Sequence, residues 1–181
     1  MKTITSFTVL VVTTALSVFL MHSSAFAQAN PKLSDAEVAS VAVVANQIDI
    51  NYGEIAKEKS KNEDVLKFAA TMISDHKAVI AQAAALVQKL GVTPKDNAVS
   101  QKLLADAEQT KKELLSKSSE AFDKAYIDNE VAYHKAVIAA VEGLLIPETD
   151  NSELKDILEN VVPALKTHLE HAIMVQDKLN K

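Results

Sequence analysis

Four separate stretches of the chain carry apolar residues at helical spacing, and each row of apolar residues includes one polar residue that can bind a metal. The apolar residues recur at steps of four and three, which keeps one side of a helix turned toward its neighbours. On that side lie Asp49, His76, His134 and His168. A charge or an imidazole is costly in an apolar core unless a partner compensates it. The pattern therefore predicts helices whose shared core holds one acid and three histidines.

Capping and helix-breaking residues divide the chain into five predicted helices. Ser34 and Glu37 have the spacing of a capping box, Asn62 can cap the next helix, and Gly91 suits its end. The remaining boundaries are predicted from Pro94 at a first helical position, Ser118 or Ser119 as a cap, Pro147 as a stop, and Asp150 with Glu153 as a second capping box. The predicted spans are 34–59, 63–90, 94–115, 119–145 and 151–179.

The connections between these helices predict how they pack. Short loops follow the first and the fourth helix, and short connections favour antiparallel neighbours. No run alternates with the period of a strand. We therefore expect an all-α fold, an antiparallel four-helix bundle with an additional short helix between the two hairpins.

The first residues have the pattern of a secretory signal peptide. Met1-Lys2 gives a positive start, Phe7 to Leu20 is nearly all apolar, and Ala25-Phe26-Ala27 is a small-x-small cleavage site. The apolar run is too short for a membrane span. The sequence predicts a signal peptide at 1–27, a single domain at 28–181, a periplasmic or secreted location, and no integral membrane span after cleavage.

Composition narrows the classes of function. The 181 residues include no cysteine, which excludes thiolate metal sites and disulfides. The net charge is −5, and the chain contains no arginine and no basic patch, which argues against nucleic-acid binding. The three glycines are isolated, so no glycine-rich phosphate loop is present. A metal ion is therefore the partner that the sequence favours.

The four polar core residues have the donors of a transition-metal site. Three imidazoles and one carboxylate suit a single zinc, copper or iron ion, and they do not choose strongly between them. Counted from the tight turns, Asp49 and His76 differ in level by roughly one helical turn, and His134 and His168 by roughly 8 Å. The alternative is that each histidine only forms a hydrogen bond to a neighbouring helix.

Three further residues are candidates for additional ligands or for orienting a ligand. Glu130 precedes His134 by one turn and could orient its ring, or could be an ordinary exposed glutamate. His171 and Met174 follow His168 at steps of three, which could form a surface copper site or simply a solvated helix face. Asp75, next to His76, is predicted to face the adjacent helix or solvent.

Several segments resemble one known family. The segments FAATMISDHKAV (68–79), AFDKAYIDNEVAYHKAVI (121–138) and ALKTHLEHA (164–172) resemble domain-of-unknown-function family 4142 over about residues 35–179. Its members are exported bacterial proteins, often labelled predicted outer membrane proteins, and the family is similar to ferritin-like helical bundles. The family pattern matches Asp75-His76, Phe122-Asp123 with Tyr126, His134, and Leu165 with His168.

The resemblance also shows where this chain differs. Family members often carry glutamates at the positions of Asp49 and Asn51, so one carboxylate is missing here. The chain has no Glu-x-x-His sequence, which the di-iron members of ferritin-like bundles use on two helices. A di-iron enzyme is therefore not expected.

Three functions remain open from the sequence. The first is an exported helical protein that binds one transition metal for buffering, delivery or resistance. The second is a structural or stress-related envelope protein whose core histidines bind no metal. The third is a redox metalloenzyme, which would need an open coordination position beside a solvent channel.

Overall fold

The computed structural model describes residues 33–181, and every regular element within them is helical. The all-α prediction is confirmed, whereas the predicted signal peptide at 1–27 lies outside the described residues. The elements are α1 (Asp35–Lys59), α2 (Glu63–Leu90), α3 (Ala98–Ser116), α4 (Ser119–Ala140), a π-helix (Val141–Leu145), α5 (Ile146–Glu148) and α6 (Ser152–Leu179).

The first two helices begin and end within one residue of the predicted positions. The backbone N–H of Ser34 donates to Glu37 Oε2 at 3.0 Å, and the two side chains bond at 2.7 Å. These bonds from Ser34, together with Lys95, lower the pKa of Glu37 to about 2. Asn62 accepts from the first backbone N–H groups of α2, and Gly91 ends that helix with a left-handed φ of 65°. Local capping chemistry is thus sufficient to set these ends.

One predicted helix start and one predicted cap are wrong. The third helix begins at Ala98 rather than near residue 94, because the side chain of Asn97 accepts from two backbone N–H groups of its first turn and donates to the Glu37 carbonyl. The last helix is capped by Asn151, whereas the backbone N–H of Asp150 donates to Asp35 on α1. In both cases a contact with α1 fixes the connection that precedes the helix.

Pro147 does not stop the fourth helix at 145 as predicted. The helical run continues through the π-helix, in which the N–H of Ile146 donates to the Val141 carbonyl, and ends at Glu148. Proline lacks a backbone N–H, and the first turn of a new helical segment tolerates this. The π-helix holds one extra residue per turn and lets the run pass through Pro147.

The four long helices pack in a closed ring. α1 contacts α2, α2 contacts α6, α6 contacts α4, and α4 contacts α1, while α3 lies against α1 and α4. Two groups of apolar side chains fill the ring at opposite ends. The aromatic end is built around Phe68, Phe122 and Tyr126, and the aliphatic end around residues such as Val38 and Leu158. The predicted polar core residues lie between these two ends.

No helix within residues 33–181 is both long enough and apolar enough to cross a bilayer.

Gly53 lies where α1 and α2 pack closely together. A Cβ atom at Gly53 would lie 2.8 Å from Ile73 Cγ1 and 3.2 Å from the Ala69 carbonyl oxygen, closer than ordinary packing allows. A Cβ atom at Gly143 would meet nothing within 4 Å. Helix packing therefore requires glycine at position 53 but not at position 143. The two positions form a matched pair for testing this contact.

Gly53→Ala is expected to lower the free energy of unfolding by about 1 kcal/mol, since overpacking outweighs the gain in helix propensity. Gly143→Ala is expected to raise the free energy of unfolding by about 0.5–1 kcal/mol, because the propensity gain meets no clash. Denaturant titration of both variants measures the difference. If both substitutions stabilise the protein equally, the tight contact at Gly53 is contradicted.

Candidate metal centre

The four predicted core residues meet at one level between the two ends of the core. Asp49 Oδ2 lies 3.2 Å from His76 Nε2 and 3.5 Å from His134 Nε2. The centroid of the His168 ring lies 5.3 Å from that of His76 and 5.5 Å from that of His134. All four side chains are buried, with exposed fractions between 1% and 6%. These residues are called the polar layer below.

The predicted difference in level of roughly 8 Å between His134 and His168 is wrong. His134 lies 14 residues before the end of α5 at Glu148, and His168 lies 16 residues after the start of α6 at Ser152. A difference of two residues corresponds to about 3 Å along a helix. The start of α6 at Ser152, several residues after the turn near Pro147 from which the prediction counted, accounts for the change.

Each imidazole of the polar layer has one ring nitrogen held by a hydrogen bond from outside the layer. His76 Nδ1 donates to Asn46 Oδ1 at 2.7 Å, and His134 Nδ1 donates to the Glu130 carbonyl oxygen at 3.0 Å. His168 Nε2 donates to Asp75 Oδ2 at 3.0 Å. The orientation of the Asn46 amide is fixed because its Nδ2 donates to the Ala42 carbonyl oxygen at 2.8 Å.

These bonds determine which nitrogen carries the lone pair of each neutral ring. All three acceptors are oxygen atoms, so the bonded nitrogen must carry the proton. The lone pairs then lie on His76 Nε2, His134 Nε2 and His168 Nδ1, and none of these buried atoms has a hydrogen-bond partner within the described part of the chain. Histidines that bind metals commonly have their second nitrogen held in this way.

Asp49 provides the negative charge of the polar layer. Both of its carboxylate oxygens are buried and accept no hydrogen bond from residues 33–181. Ligand atoms at about 2.0–2.1 Å from a tetrahedral ion lie roughly 3.3 Å apart. The distances of 3.2 and 3.5 Å from Asp49 Oδ2 to the two Nε2 atoms match that spacing. The donor set therefore fits a small cation.

Glu130 is a second buried acid beside the polar layer. Its side chain is 0% exposed, so the interpretation as an ordinary exposed glutamate is wrong. Burial, and secondarily the charge of Asp49, raises the pKa of Glu130 well above its usual value. Ligand atoms of Asp49, Glu130 and His134 lie within 4.8 Å of one another, as do those of the three histidines. The two groups share His134.

Burial also affects the imidazoles. Loss of solvent lowers the pKa of His134 and of His168, although Asp49 and Asp75 respectively oppose the change. Both rings are therefore neutral at pH 7, and a neutral ring is the form that binds a metal. This electrostatic environment favours coordination over protonation.

His171 and Met174 lie away from the polar layer. The ring of His171 packs edge-on against Phe68, with centroids 5.1 Å apart, at the aromatic end of the core. Met174 is 51% exposed. The structure therefore brings together Asp49, His76, His134, His168 and Glu130, and leaves these two candidates outside the group.

Sequence reasoning missed the roles of Asn46 and Asp75. Asn46 lies three residues before Asp49 on α1, and the spacing alone does not reveal that its amide reaches His76 on α2. Asp75 does face the adjacent helix and solvent as predicted, with a half-exposed side chain, but its partner there is His168. A search for polar residues within one turn of each candidate ligand would have found both.

A comparison with solved structures gives a fold similar to that of this chain. It is described as CopM in the Cu(II)-bound form, with a TM-score of 0.61 and 13% sequence identity, and the match covers 82% of this chain and 99% of that one. At this identity the likeness shows the fold alone. A search among curated proteins finds no match.

The family comparison covers most of the sequence. The model of DUF4142, a domain of unknown function, matches residues 20–175. The match includes the four residues of the polar layer and the hydrogen-bond partners that hold their rings. The chain therefore belongs to the DUF4142 family.

Proposed function

We propose that this protein binds one transition-metal ion in the polar layer. The ligands are Asp49, His76 Nε2, His134 Nε2 and His168 Nδ1, with Glu130 as an additional ligand or a nearby charge. In this proposal α1, α2, α4 and α6 form an antiparallel four-helix bundle around the ion, and α3 connects its two hairpins. The protein is exported to the periplasm or secreted, and serves in metal buffering, delivery or resistance.

One observation carries this proposal. Each of three imidazoles from three helices has its outer nitrogen held by a hydrogen bond and its inner nitrogen buried without one. A structural protein with purely hydrogen-bonded core histidines would pair those nitrogens, since a buried polar atom without a partner is costly. A cation held by the three histidines would satisfy their buried nitrogens, and Asp49, whose Oδ2 lies 3.2 and 3.5 Å from two of those nitrogens, would offset its charge.

Copper is the first metal to test. Nitrogen and carboxylate donors suit copper, zinc and iron, and affinity for divalent ions generally favours copper. The structurally similar CopM was solved with Cu(II), which supports the same choice. Zinc is the natural comparison because its tetrahedral preference suits four ligands.

Loss of one imidazole should remove the site, whereas loss of the outlying imidazole should not. The wild-type protein is expected to bind about one equivalent of Cu(II), and His134→Ala is expected to reduce the affinity at least about a hundredfold, because the ligand is lost and its neighbours remain misplaced. His171→Ala is the matched control and should bind as the wild type does. Calorimetric titration with elemental analysis measures both quantities.

Three results would contradict the proposed site. One is a wild-type protein that binds neither Cu(II) nor Zn(II) and shows no thermal stabilisation by either. Another is a loss of binding in His171→Ala equal to that in His134→Ala. The third is an unchanged Cu(II) affinity in both variants, which would place the ion elsewhere.

The residues that hold the rings should tune the affinity without abolishing binding. Asn46→Ala removes the acceptor of His76 Nδ1, and a change of this kind is expected to weaken Cu(II) binding about 10–100-fold. Asn51→Ala is the control, because its exposed side chain bonds only to Gln47 on the same helix. Competition with a chelator of known affinity measures the ratio. Equal affinities for the two variants would refute the role of Asn46.

Glu130 should make the metal-free protein less stable as pH rises above about 4.5. Its pKa is raised in the folded state, so its contribution to stability is present below the unfolded value of 4.5 and is lost as pH rises through the folded pKa. Glu130→Gln removes this loss. The metal-free variant is therefore expected to be more stable than the metal-free wild type at pH 7.5, with the difference shrinking toward pH 4.5.

The buried histidines change the stability of the protein with pH in the opposite direction. The lowered pKa values of His134 and His168 mean that the unfolded chain takes up protons first, so stability falls as pH decreases below about 6.5. Denaturant titrations of metal-free Glu130→Gln between pH 7.5 and 5.5 isolate this effect. A stability that rises on acidification in that variant would show that the imidazoles are not buried as neutral rings.

A further inference from the structure

The two ends of the core are filled with side chains of very different size. The aromatic residues among residues 33–181 lie at the polar layer or in the half of the protein that contains Phe68 and Phe122. The other half, from the polar layer to the loop between α5 and α6, contains no aromatic residue in its described helices. A cavity of about 370 Å³ extends through the polar layer into this aliphatic half, and its lining also includes Tyr52, Tyr133 and residues of α3.

Small and branched aliphatic side chains line most of this cavity. Ala39 and Ala42 on α1, Ala83 on α2, and Ala136 and Ala140 on α4 face it, together with valines and leucines. Along α1, the lining runs from Ala39 to Tyr52, which corresponds to about 20 Å. The cavity is thus elongated along the helices and apolar over most of its length.

Polar groups form part of the lining of the cavity. They include Asp49, His76, His134 and His168 of the polar layer, together with Asp106 and Thr110 on α3. No lysine occurs among the described residues that line it. The cavity is therefore amphipathic, with a mainly apolar lining in the aliphatic half and polar groups at and beside the polar layer.

A cavity of this size and character suits an organic ligand. Protein interiors contain few voids larger than a water molecule, and apolar cavities of less than half this volume bind small hydrocarbons. Small-molecule sites usually begin at about 300 Å³ and combine an apolar lining with a few convergent polar groups. Val79, Ile80 and Val161 line the cavity and are only partly buried, so it reaches the surface near α2 and α6.

We propose that this cavity binds a medium-chain aliphatic amphiphile, with the alkyl chain in the aliphatic half and a single oxygen head group, alcohol or carboxylate, at the polar layer. The first part of this proposal, the binding of an alkyl chain (the alkyl part), follows from the cavity alone. The head-group part rests on the proposed metal site, because a bound divalent ion would attract a carboxylate, whereas metal-free Asp49 would repel it.

Alcohols of increasing length test the alkyl part without any metal. Calorimetric titration of the metal-free protein with 1-hexanol, 1-octanol and 1-decanol is expected to show an affinity that rises about three- to fourfold per methylene. Ala83→Leu, which extends into the cavity, is expected to weaken 1-decanol binding at least about tenfold. Ala84→Leu is exposed on the same helix and should bind as the wild type does.

Ala140→Leu on the facing helix repeats the test if Ala83→Leu folds poorly. Both cavity-filling variants should retain one equivalent of Cu(II), which separates the organic ligand from the metal. An absence of alcohol binding, an affinity independent of chain length, or equal effects of Ala83→Leu and Ala84→Leu would overturn the alkyl part.

Decanoate tests the head-group part. It is expected to bind the Cu(II)-loaded protein at least about tenfold more tightly than the metal-free protein, whereas 1-decanol should change less. Equal decanoate affinities in the two forms would overturn the placement of the head group at the polar layer. Copper titration of the wild type, made first, shows separately whether the metal site itself fails.

Discussion

The burial of Asp49 among three imidazoles is the constraint on which the rest of this structure depends. A carboxylate at 1% exposure has lost its water, and no donor from the described residues replaces it. Each of the four long helices contributes one residue to the polar layer, so the relative heights of the helices are fixed at this point. The aromatic and aliphatic ends of the core then pack on either side of the polar layer, whose position along the helices is already fixed.

The rings of the polar layer are held from outside, and by three different kinds of acceptor. One is a side-chain amide, one is a backbone carbonyl and one is a half-exposed carboxylate. The backbone carbonyl of Glu130 is available in any helix that continues through this turn, so the orientation of His134 does not depend on which side chain stands at position 130. The orientations of His76 and His168 do depend on the side chains of Asn46 and Asp75.

Helical periodicity was sufficient to predict the all-helical fold and the residues of the polar layer. Apolar residues at steps of four and three determine which side of a helix is buried, and that side included Asp49 and the three histidines. Periodicity does not determine which polar neighbour reaches across to another helix, so the role of Asn46 was missed. It also does not reveal how many residues form the loop before α6, so the levels of His134 and His168 were misjudged.

The π-helix at Val141–Leu145 has a consequence for how this chain can change in length. An α-helix advances 1.5 Å and turns 100° with each residue, so one residue added or removed between His134 and His168 would normally rotate every later side chain on its helix. A π-turn absorbs a single inserted residue as a local bulge. Deleting one residue there would restore a regular helix and leave Pro147 and the following loop near their present direction. The number of residues between two candidate ligands can thus change in a segment that contains neither of them.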